Sequence, residues 1–343
     1  MKALLYETFG GPIGVADVAA PAVPPGGAVV RVAASGLCRS DWHAWVGHDD
    51  TVALPHVPGH EFVGTVEAVG AGVQRWRVGD RVTAPFVNGC GECVWCRSGQ
   101  AQVCPNQTQP GFTHWGSHAE LVAVRAADLN LVAVPDALDD ASAASLGCRF
   151  ATSYRAVAER ARVEAGEWVA VFGAGGVGLS AIMIAAARGG RPIAVDRSPA
   201  ALELALRLGA EHAVLAEDDI SARIADLTGG GAHVSIDAVG AAATAAQGVR
   251  SLRRRGRHVQ IGLLAEGMTA LPLDRVIAWE LDVLGSHGMA AADYPSMLGL
   301  VASGALRPQE LLTGTVGLAE AAELLPQAGT ASPTGITVLD PRR

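Results

Sequence analysis

The chain is poor in aromatic and charged residues, and it lacks any long uninterrupted hydrophobic run. Aromatic residues make up 5% and charged residues 17% of its 343 positions, and acidic residues outnumber basic ones to give a net charge of -8. This shortage of positive charge argues against a nucleic-acid partner. No apolar run reaches the roughly 20 residues that a membrane-spanning helix needs. The first residues read as a strand and not as a signal peptide, so we expect a cytoplasmic protein.

Apolar residues, in contrast, form half of the sequence, which excludes global disorder and predicts a large buried core. A chain of this length favours two domains. Residues 1–150 contain short β-like runs broken by Gly and Pro, which indicate a mostly β, barrel-like domain. From residue 151 to 286, six strand-like runs alternate with helical stretches. This alternation predicts an α/β domain with a doubly wound parallel sheet.

A glycine-rich segment follows the first strand of that second region. The residues Gly173-Ala174-Gly175-Gly176-Val177-Gly178 fit the pattern G-x-G-x-x-G, open a helix, and are followed by Asp196 at the end of the next strand. The glycines allow a tight turn and close approach of the backbone to a pyrophosphate at the helix N-terminus. Asp196 would accept hydrogen bonds from the adenine ribose and repel a 2′-phosphate. The segment therefore predicts a dinucleotide site that favours NAD over NADP, with Arg197 beside Asp196 weighing against strict selectivity.

The cysteines form the second informative pattern. Four of them, Cys90, Cys93, Cys96 and Cys104, lie within fifteen residues, in a lobe at about 88–106. Four thiolates at this spacing can close a tetrahedral structural zinc site. An iron–sulfur cluster is the competing metal, because Pro105 follows the last cysteine, but the last gap fits the ferredoxin pattern poorly. In a reducing cytosol, metal binding explains these cysteines better than disulfides do.

A third pattern consists of a Cys, a His and a Cys that are far apart in the chain. Cys38 opens the run Cys38-Arg39-Ser40-Asp41-Trp42-His43, His60 stands in Gly59-His60-Glu61, and Cys148 is alone. Such a set can supply the three protein ligands of a catalytic zinc whose fourth position stays open. With these motifs in this order, the sequence resembles the zinc-dependent alcohol dehydrogenases of the medium-chain dehydrogenase/reductase superfamily over nearly its whole length.

The resemblance implies a GroES-like catalytic domain over residues 1–150 and 287–343 and a Rossmann cofactor domain over residues 151–286. It implies that Cys38, His60 and Cys148 bind the catalytic zinc and that the four-cysteine lobe binds the structural one. In this picture Asp41 accepts the second imidazole N–H of His60, which fixes the tautomer. Glu61 matches a carboxylate that lies behind the metal and helps the exchange of water and substrate at the open position. The alternative is that Glu61 is a paired charge in the core.

The resemblance also assigns a proton path and cofactor contacts. Ser40 matches the hydroxyl that takes the alcohol proton and passes it through the nicotinamide ribose to His43, whose ordinary pKa is near 6.5. The cofactor contacts implied in addition to the glycine-rich segment are Arg39 at the pyrophosphate, and Thr152, Val239, Ile261 and Gly262 near the nicotinamide.

The substrate pocket is less readable from sequence. Phe86 matches a pocket position of the family, and Trp42, Trp45 and Trp115 are candidates for its walls, although packing is the commoner use of Trp. His48, His56, His114 and His118 are expected to be structural or surface groups. The sequence departs from the family pattern at two positions. Arg149 follows Cys148 where many relatives have a small residue, and Ile336 follows Gly335 where many have Arg.

Together these patterns predict a zinc-dependent, NAD-linked alcohol dehydrogenase with two zinc ions per chain, acting on a small alcohol or carbonyl compound, with no membrane or nucleic-acid partner. A polyol dehydrogenase of the same superfamily is one alternative, although Cys148 and the intact lobe argue against it. A dinucleotide-binding protein without catalytic activity is the other. By analogy with relatives of this length, a homotetramer is favoured.

Overall fold

The computed structural model describes residues 1–216, 219–264, 268–329 and 334–343. The chain divides into two units. The first comprises Met1–Ala151, Gly288–Ser303 and Leu312–Arg343, and the second comprises Thr152–His287 and Gly304–Leu311.

This division differs from the expected one in the segment Gly304–Leu311, which the sequence assigned to the first domain. Leu306 and Leu311 in this segment are buried, and the Arg307 N–H donates to Met183 Sδ at 3.4 Å. These contacts place the segment in the second unit. The predicted order of strands and helices did not indicate this assignment.

The first unit is rich in β-structure. Its strands are β1 (Lys2–Tyr6), β2 (Ile13–Asp17), β3 (Ala28–Leu37), β4 (Phe62–Val69), β5 (Arg81–Thr83), β6 (Leu121–Val124), β7 (Val132–Ala133), β14 (Leu312–Val316) and β15 (Ile336–Leu339). Its helices are α1 (Arg39–Trp45), α2 (Val94–Arg97), α3 (Ala127–Asn130), α4 (Asp140–Ala144), α11 (Tyr294–Ala302) and α12 (Leu318–Leu324).

A mostly antiparallel sheet organises this unit. Among the described residues it has seven strands, in the order β14-β15-β3-β4-β5-β7 with β6 also paired to β3. Apolar side chains of β3, β4 and β6 pack in one buried cluster with Trp76 and Leu131. The mostly β character expected for this region is confirmed.

The second unit alternates strands with helices. Its strands are β8 (Trp168–Phe172), β9 (Arg191–Asp196), β10 (His212–Leu215), β11 (Ala232–Asp237), β12 (Leu252–Gln260) and β13 (Asp282–Gly285). Its helices are α6 (Gly176–Ala187), α7 (Pro199–Arg207), α8 (Ile220–Thr228), α9 (Ala242–Arg250) and α10 (Leu273–Trp279), while α5 (Ala151–Arg155) begins at the last residue of the first unit.

The six strands of the second unit that the structure describes form one parallel sheet in the order β10-β9-β8-β11-β12-β13. The first strand, β8, lies in the middle and is buried at every position. Later strands are added outward on both sides of it, which is the doubly wound topology that the sequence predicts. The predicted fold class is thus confirmed.

Among the described helices, none combines the length and the apolar composition needed to cross a membrane.

Candidate active site

Two paired strands bring Cys38 and His60 together. β3 ends directly before Cys38, and β4 begins shortly after His60. The two strands are antiparallel, with Ser35 opposite Phe62. The end of one strand and the start of its antiparallel neighbour lie at the same edge of a sheet, so residues distant in sequence become neighbours there.

Asp41 fixes the orientation of His60. The Asp41 Oδ1 lies 2.8 Å from His60 Nδ1 and also accepts the Gly59 N–H at 3.1 Å, while its Oδ2 accepts the Cys38 N–H at 2.9 Å. Burial raises the pKa of Asp41, but His60 and His118 lower it to about 2, so this carboxylate is ionised. Burial lowers the pKa of His60, but Asp41 raises it above its ordinary value. In the neutral ring, an ionised acceptor at Nδ1 keeps the proton on Nδ1, so that Nε2 is the nitrogen that can bind a metal.

Cys148 completes a three-residue cluster, which we call the Cys38–His60–Cys148 cluster. One ligand atom from each residue lies within 4.8 Å of the other two. His60 Nε2 is buried and has no hydrogen-bond partner among the described residues. A buried ring nitrogen without a partner is costly. Two sulfurs and this nitrogen therefore fit a zinc ion, which would satisfy the unpartnered atom and still leave a fourth position open.

The two sulfurs of the cluster interact with each other. A hydrogen bond from Cys148 holds the pKa of the Cys38 thiol well below its usual range, and Arg149 and His60 lower it further. A thiolate is the form in which cysteine binds a metal.

The turn that carries Cys148 is wider than an α-helical one. Leu146–Phe150 forms a π-helical turn, a feature that is frequent at functional sites. The Tyr294 hydroxyl donates to the Leu146 and Gly147 carbonyls at 3.3 and 3.4 Å, and the Phe86 N–H donates to the Gly147 carbonyl at 3.1 Å. These contacts fix the turn and with it the position of the Cys148 side chain.

Arg149, a departure that the sequence left without a role, pairs with Glu61. Both residues are buried, and the guanidinium Nε and Nη2 of Arg149 both contact the Glu61 carboxylate. Burial lowers the pKa of Arg149, but Glu61 raises it above its ordinary value, so Arg149 is a cation. The sequence alone gave no sign of this pair because the two residues are separated by 88 positions.

The helix α1 carries the residues of the expected proton path. Ser40 Oγ lies 3.7 Å from Cys38 Sγ, and Arg39 is exposed at the start of the helix. His43 Nδ1 lies 3.0 Å from the Nδ1 of His48, which is exposed. Burial lowers the pKa of His43, and the charge of Arg39 lowers it further. His48 was expected to be a structural or surface group, and it is exposed, but the sequence did not indicate its contact with His43.

Of the four pocket candidates, Phe86 lies next to the cluster. Its ring centroid is 6.0 Å from that of His60, and the ring of Phe112, which the sequence did not single out, is 5.1 Å from His60. Trp42 packs edge-on against His43, with 4.9 Å between ring centroids.

The other two tryptophans have packing roles. The Trp45 indole donates to the Gly11 carbonyl at 3.0 Å, and the Trp115 indole donates to the Pro55 carbonyl at 2.9 Å. Each ring also packs against a hydrophobic cluster of the first unit. These contacts agree with the packing alternative for Trp45 and Trp115.

The four cysteines of the lobe converge as their spacing predicts. One sulfur from each of Cys90, Cys93, Cys96 and Cys104 lies within 4.8 Å of the others. The Glu92 N–H donates to Cys90 Sγ at 3.5 Å and is the largest cause that lowers the pKa of Cys90 to about 6. Backbone N–H groups also donate to the sulfurs of Cys93 and Cys104 at 3.4 Å. Four sulfurs with such donors fit a tetrahedral metal ion.

The glycine-rich segment forms the turn that its pattern predicts. Gly173 has a φ of +92°, in the left-handed region that favours glycine. A Cβ on Gly178 would lie 1.7 Å from the Gly173 carbonyl oxygen, whereas a Cβ on Gly175 would meet nothing within 4 Å. The helix α6 begins at Gly176. The tight packing at Gly178 and the open space at Gly175 fit a turn whose backbone could approach a pyrophosphate at this helix N-terminus.

Asp196 is held by two backbone amides. Its Oδ2 accepts the Ala174 N–H at 2.6 Å, and its Oδ1 accepts the Ser198 N–H at 2.8 Å. Arg197 is exposed beside it. The carboxylate is therefore fixed next to the glycine-rich turn, with lone pairs left for a ribose.

A second carboxylate, Asp237, organises the remaining cofactor candidates and was missed by sequence analysis. Its Oδ1 accepts the Val239 N–H at 2.8 Å, and its backbone carbonyl accepts the N–H groups of Ile261 and Gly262 at 3.0 and 2.9 Å. Thr152 is buried in the same unit. The position of Asp237 at the end of β11, the strand that pairs with β8, was the available signal.

The chain matches two family models. Residues 24–136 match the alcohol dehydrogenase GroES-like domain, and residues 176–303 match the zinc-binding dehydrogenase domain. The first match confirms the GroES-like fold that the resemblance implied for the first unit.

Curated relatives cover most of the chain. An alcohol dehydrogenase of Geobacillus stearothermophilus is 35% identical over 311 residues, which is 90% of each protein. A sorbitol dehydrogenase of Halalkalibacterium halodurans is 32% identical over 326 residues, which is 93% of this chain and 94% of that protein.

Solved structures agree with these relatives. The alcohol dehydrogenase TADH from Thermus sp. ATN1 superposes with a TM-score of 0.91 at 33% identity, covering 99% of both chains. Identity above 30% over nine-tenths of the chain, the two domain matches and the common fold lead to one assignment. The protein belongs to the zinc-dependent alcohol dehydrogenases of the medium-chain dehydrogenase/reductase superfamily.

Proposed function

We propose that this protein is an NAD-linked alcohol dehydrogenase with two zinc ions per chain, one catalytic and one structural, which interconverts small alcohols and the corresponding carbonyl compounds. The observation that carries the proposal is the Cys38–His60–Cys148 cluster, in which two sulfurs converge on a buried imidazole nitrogen without a partner. When bound there, zinc supplies Lewis acidity, which lowers the pKa of a hydroxyl group.

The side chains around the cluster perform the remaining tasks. Asp41 holds His60 in the tautomer that presents Nε2. Ser40 Oγ, 3.7 Å from Cys38 Sγ, accepts the proton that the substrate hydroxyl loses. His43 and His48, joined through their Nδ1 atoms, take up this proton next to solvent, since His48 is exposed. A neutral imidazole pair can hold one proton between its two nitrogens.

A substrate panel combined with metal analysis tests the proposal. We expect two zinc ions per chain and NAD-dependent oxidation of unbranched or aromatic alcohols in preference to sorbitol-like polyols. A preference for polyols would favour the second candidate, which the similarity to a sorbitol dehydrogenase keeps open. Binding of NADH by zinc-replete protein without turnover of any alcohol or carbonyl compound would replace the proposal with a non-catalytic dinucleotide-binding role.

Asp196 supports NAD as the cofactor. Replacing it with Ala should raise the ratio of NADP-linked to NAD-linked kcat/KM by about tenfold or more, since one hydrogen bond to a charged group contributes roughly 1.5–3 kcal/mol. A second variant is needed as a control, because Asp196→Ala removes both the charge and the acceptor of the Ala174 N–H. Asp196→Asn keeps one acceptor oxygen and removes the charge, so a shift in both variants would separate charge repulsion from damage to the turn. A cofactor ratio unchanged in both would contradict this account of selectivity.

A homo-oligomer, with a tetramer favoured by analogy, is part of the proposal. β13 is an edge strand of the parallel sheet, and Leu273, Ile277 and Val283 on α10 and β13 expose apolar side chains. Light scattering on the purified protein measures the assembly. A reducing, cytoplasmic location is supported by the six free cysteines, which group as metal ligands in two clusters.

A further inference from the structure

The Arg149–Glu61 pair lies directly beside the Cys38–His60–Cys148 cluster. Glu61 follows His60 in the chain, and Arg149 follows Cys148, so each partner is bonded to a predicted metal ligand. Glu61 is 0% exposed and Arg149 6% exposed. The pair is therefore inside the site and separated from solvent.

Arg149 occupies both oxygens of the Glu61 carboxylate. The Arg149 backbone N–H donates to Oε1 at 2.8 Å, Nε lies 3.1 Å from Oε1 and 3.0 Å from Oε2, and Nη2 also contacts Oε2. Such a two-pronged contact fixes the plane of the carboxylate as well as its charge.

The fold makes room for this pair at Gly36. A Cβ at this position would lie 2.3 Å from Glu61 Oε2 and 2.9 Å from Arg149 Nη2. Any other residue at position 36 would therefore displace the pair. The absence of a side chain at Gly36 is an independent sign that the pair has a fixed place in the site.

A carboxylate without this partner would change the metal site. Carboxylates are good zinc ligands, and a fourth protein ligand closes a zinc site that is otherwise open. Glu61 is adjacent to His60 in the chain, and its carboxylate accepts the backbone N–H of Arg149, the residue after Cys148, at 2.8 Å. A buried carboxylate that loses its cation needs a new positive partner, and a metal held by the neighbouring ligands would supply one.

We propose that Arg149 is a positioning residue that withholds Glu61 from the metal, so that three protein ligands leave one coordination position open to substrate. The inference rests on the metal site of the proposed function but not on the identity of the substrate. It gives a role to the one residue of the ligand turn that departs from the expected pattern.

Cobalt substitution tests the inference, because the visible d–d absorption of Co²⁺ depends on the identity and number of its ligands. We expect Arg149→Met to shift this absorption, because the Glu61 carboxylate then occupies the position that is open to solvent and substrate in the wild type. We also expect release of the cluster metal to a chelator to slow by about tenfold, as an added ligand strengthens binding. Subtracting the spectrum of cobalt-loaded Cys148→Ser protein removes the contribution of the four-cysteine lobe.

The double variant Arg149→Met/Glu61→Gln separates positioning from structural damage. Replacing both members of a buried ion pair is often neutral for stability, whereas removing one leaves a buried charge without a partner. A neutral amide is also a poorer ligand than a carboxylate. We therefore expect the double variant to recover the wild-type cobalt spectrum and release rate. Arg81→Met, which breaks the ion pair with Asp140 elsewhere in the first unit, is the control and should leave both unchanged.

The outcomes are distinct. A wild-type cobalt spectrum in folded Arg149→Met protein overturns the inference, as does faster metal release that Glu61→Gln does not reverse. If the Met variant does not fold, Arg149→Lys keeps the charge without the two-pronged contact, and we expect an intermediate absorption; an unchanged one would equally overturn the inference. Absence of alcohol or carbonyl turnover in the wild type, with the spectral changes present, would remove the proposed function and leave the role of Arg149 intact.

Discussion

Replacing Cys148 with Ser is expected to lower kcat/KM for alcohol oxidation by about a thousandfold or more. Loss of a residue that only hydrogen-bonds to a metal ligand already lowers metal affinity or activity by roughly 10–100-fold, and loss of a ligand itself should cost more. The substitution removes one of the two sulfurs that converge with His60 Nε2. Dinucleotide binding should persist, because the glycine-rich turn and Asp196 belong to the second unit. Steady-state kinetics, zinc content and NADH fluorescence titration measure the three quantities.

Cys148→Asp is the matched variant. The family resemblance implies that polyol-oxidising relatives often have a carboxylate as the third ligand, so Asp should retain more zinc and more turnover than Ser. If the Ser variant has wild-type turnover and still binds two zinc ions per chain, Cys148 is not a zinc ligand.

The second large effect is expected on stability. Replacing Cys96 with Ser should release one zinc ion per chain and lower the free energy of unfolding of the first unit by about 2 kcal/mol or more, because metal binding at a structural site contributes directly to folding. This loss corresponds to a fall of roughly 4–8 °C in Tm. Cys96 is buried in a small cluster with the other lobe cysteines, Leu129 and Ala290, so its loss affects packing beyond the metal.

Calorimetry and metal analysis of the Cys96 variant check this expectation, with Ser98→Ala as the control. Ser98 lies in the same lobe and is exposed, and its hydroxyl donates to the Trp95 carbonyl at 3.1 Å. It should leave zinc content and Tm unchanged. Finding iron and sulfide in place of zinc in the wild-type chain would favour the cluster alternative, and an unchanged Tm after loss of the metal would show that the lobe is not stabilised by it.

Patterns confined to a short stretch of sequence were predictable. The four-cysteine spacing and the glycine-rich segment each place their functional atoms within one loop or turn, so local geometry determines most of the arrangement. The doubly wound parallel sheet was likewise predictable, because alternating strands and helices have few allowed topologies. The structure agrees with each of these predictions.

Long-range contacts were not predictable in the same way. The Cys38–His60–Cys148 cluster was expected only through family resemblance, since its members are distant in the sequence. The Arg149–Glu61 pair joins residues 88 positions apart, and no periodicity encodes such a meeting. The His43–His48 contact depends on how the chain turns after α1, which residue types alone do not determine. Trp45 and Trp115 have packing roles, whereas Phe86 lies next to His60, and this difference depends on side-chain direction, which the sequence does not give.

The π-helical turn at Leu146–Phe150 has a consequence for comparisons among homologues. A π turn contains one residue more than the α-helical turn it replaces, so deleting a single residue there would restore an ordinary helix and rotate Cys148 relative to the residues that precede it. Alignments that place a gap within this segment would therefore pair Cys148 with a residue that does not face Cys38 and His60.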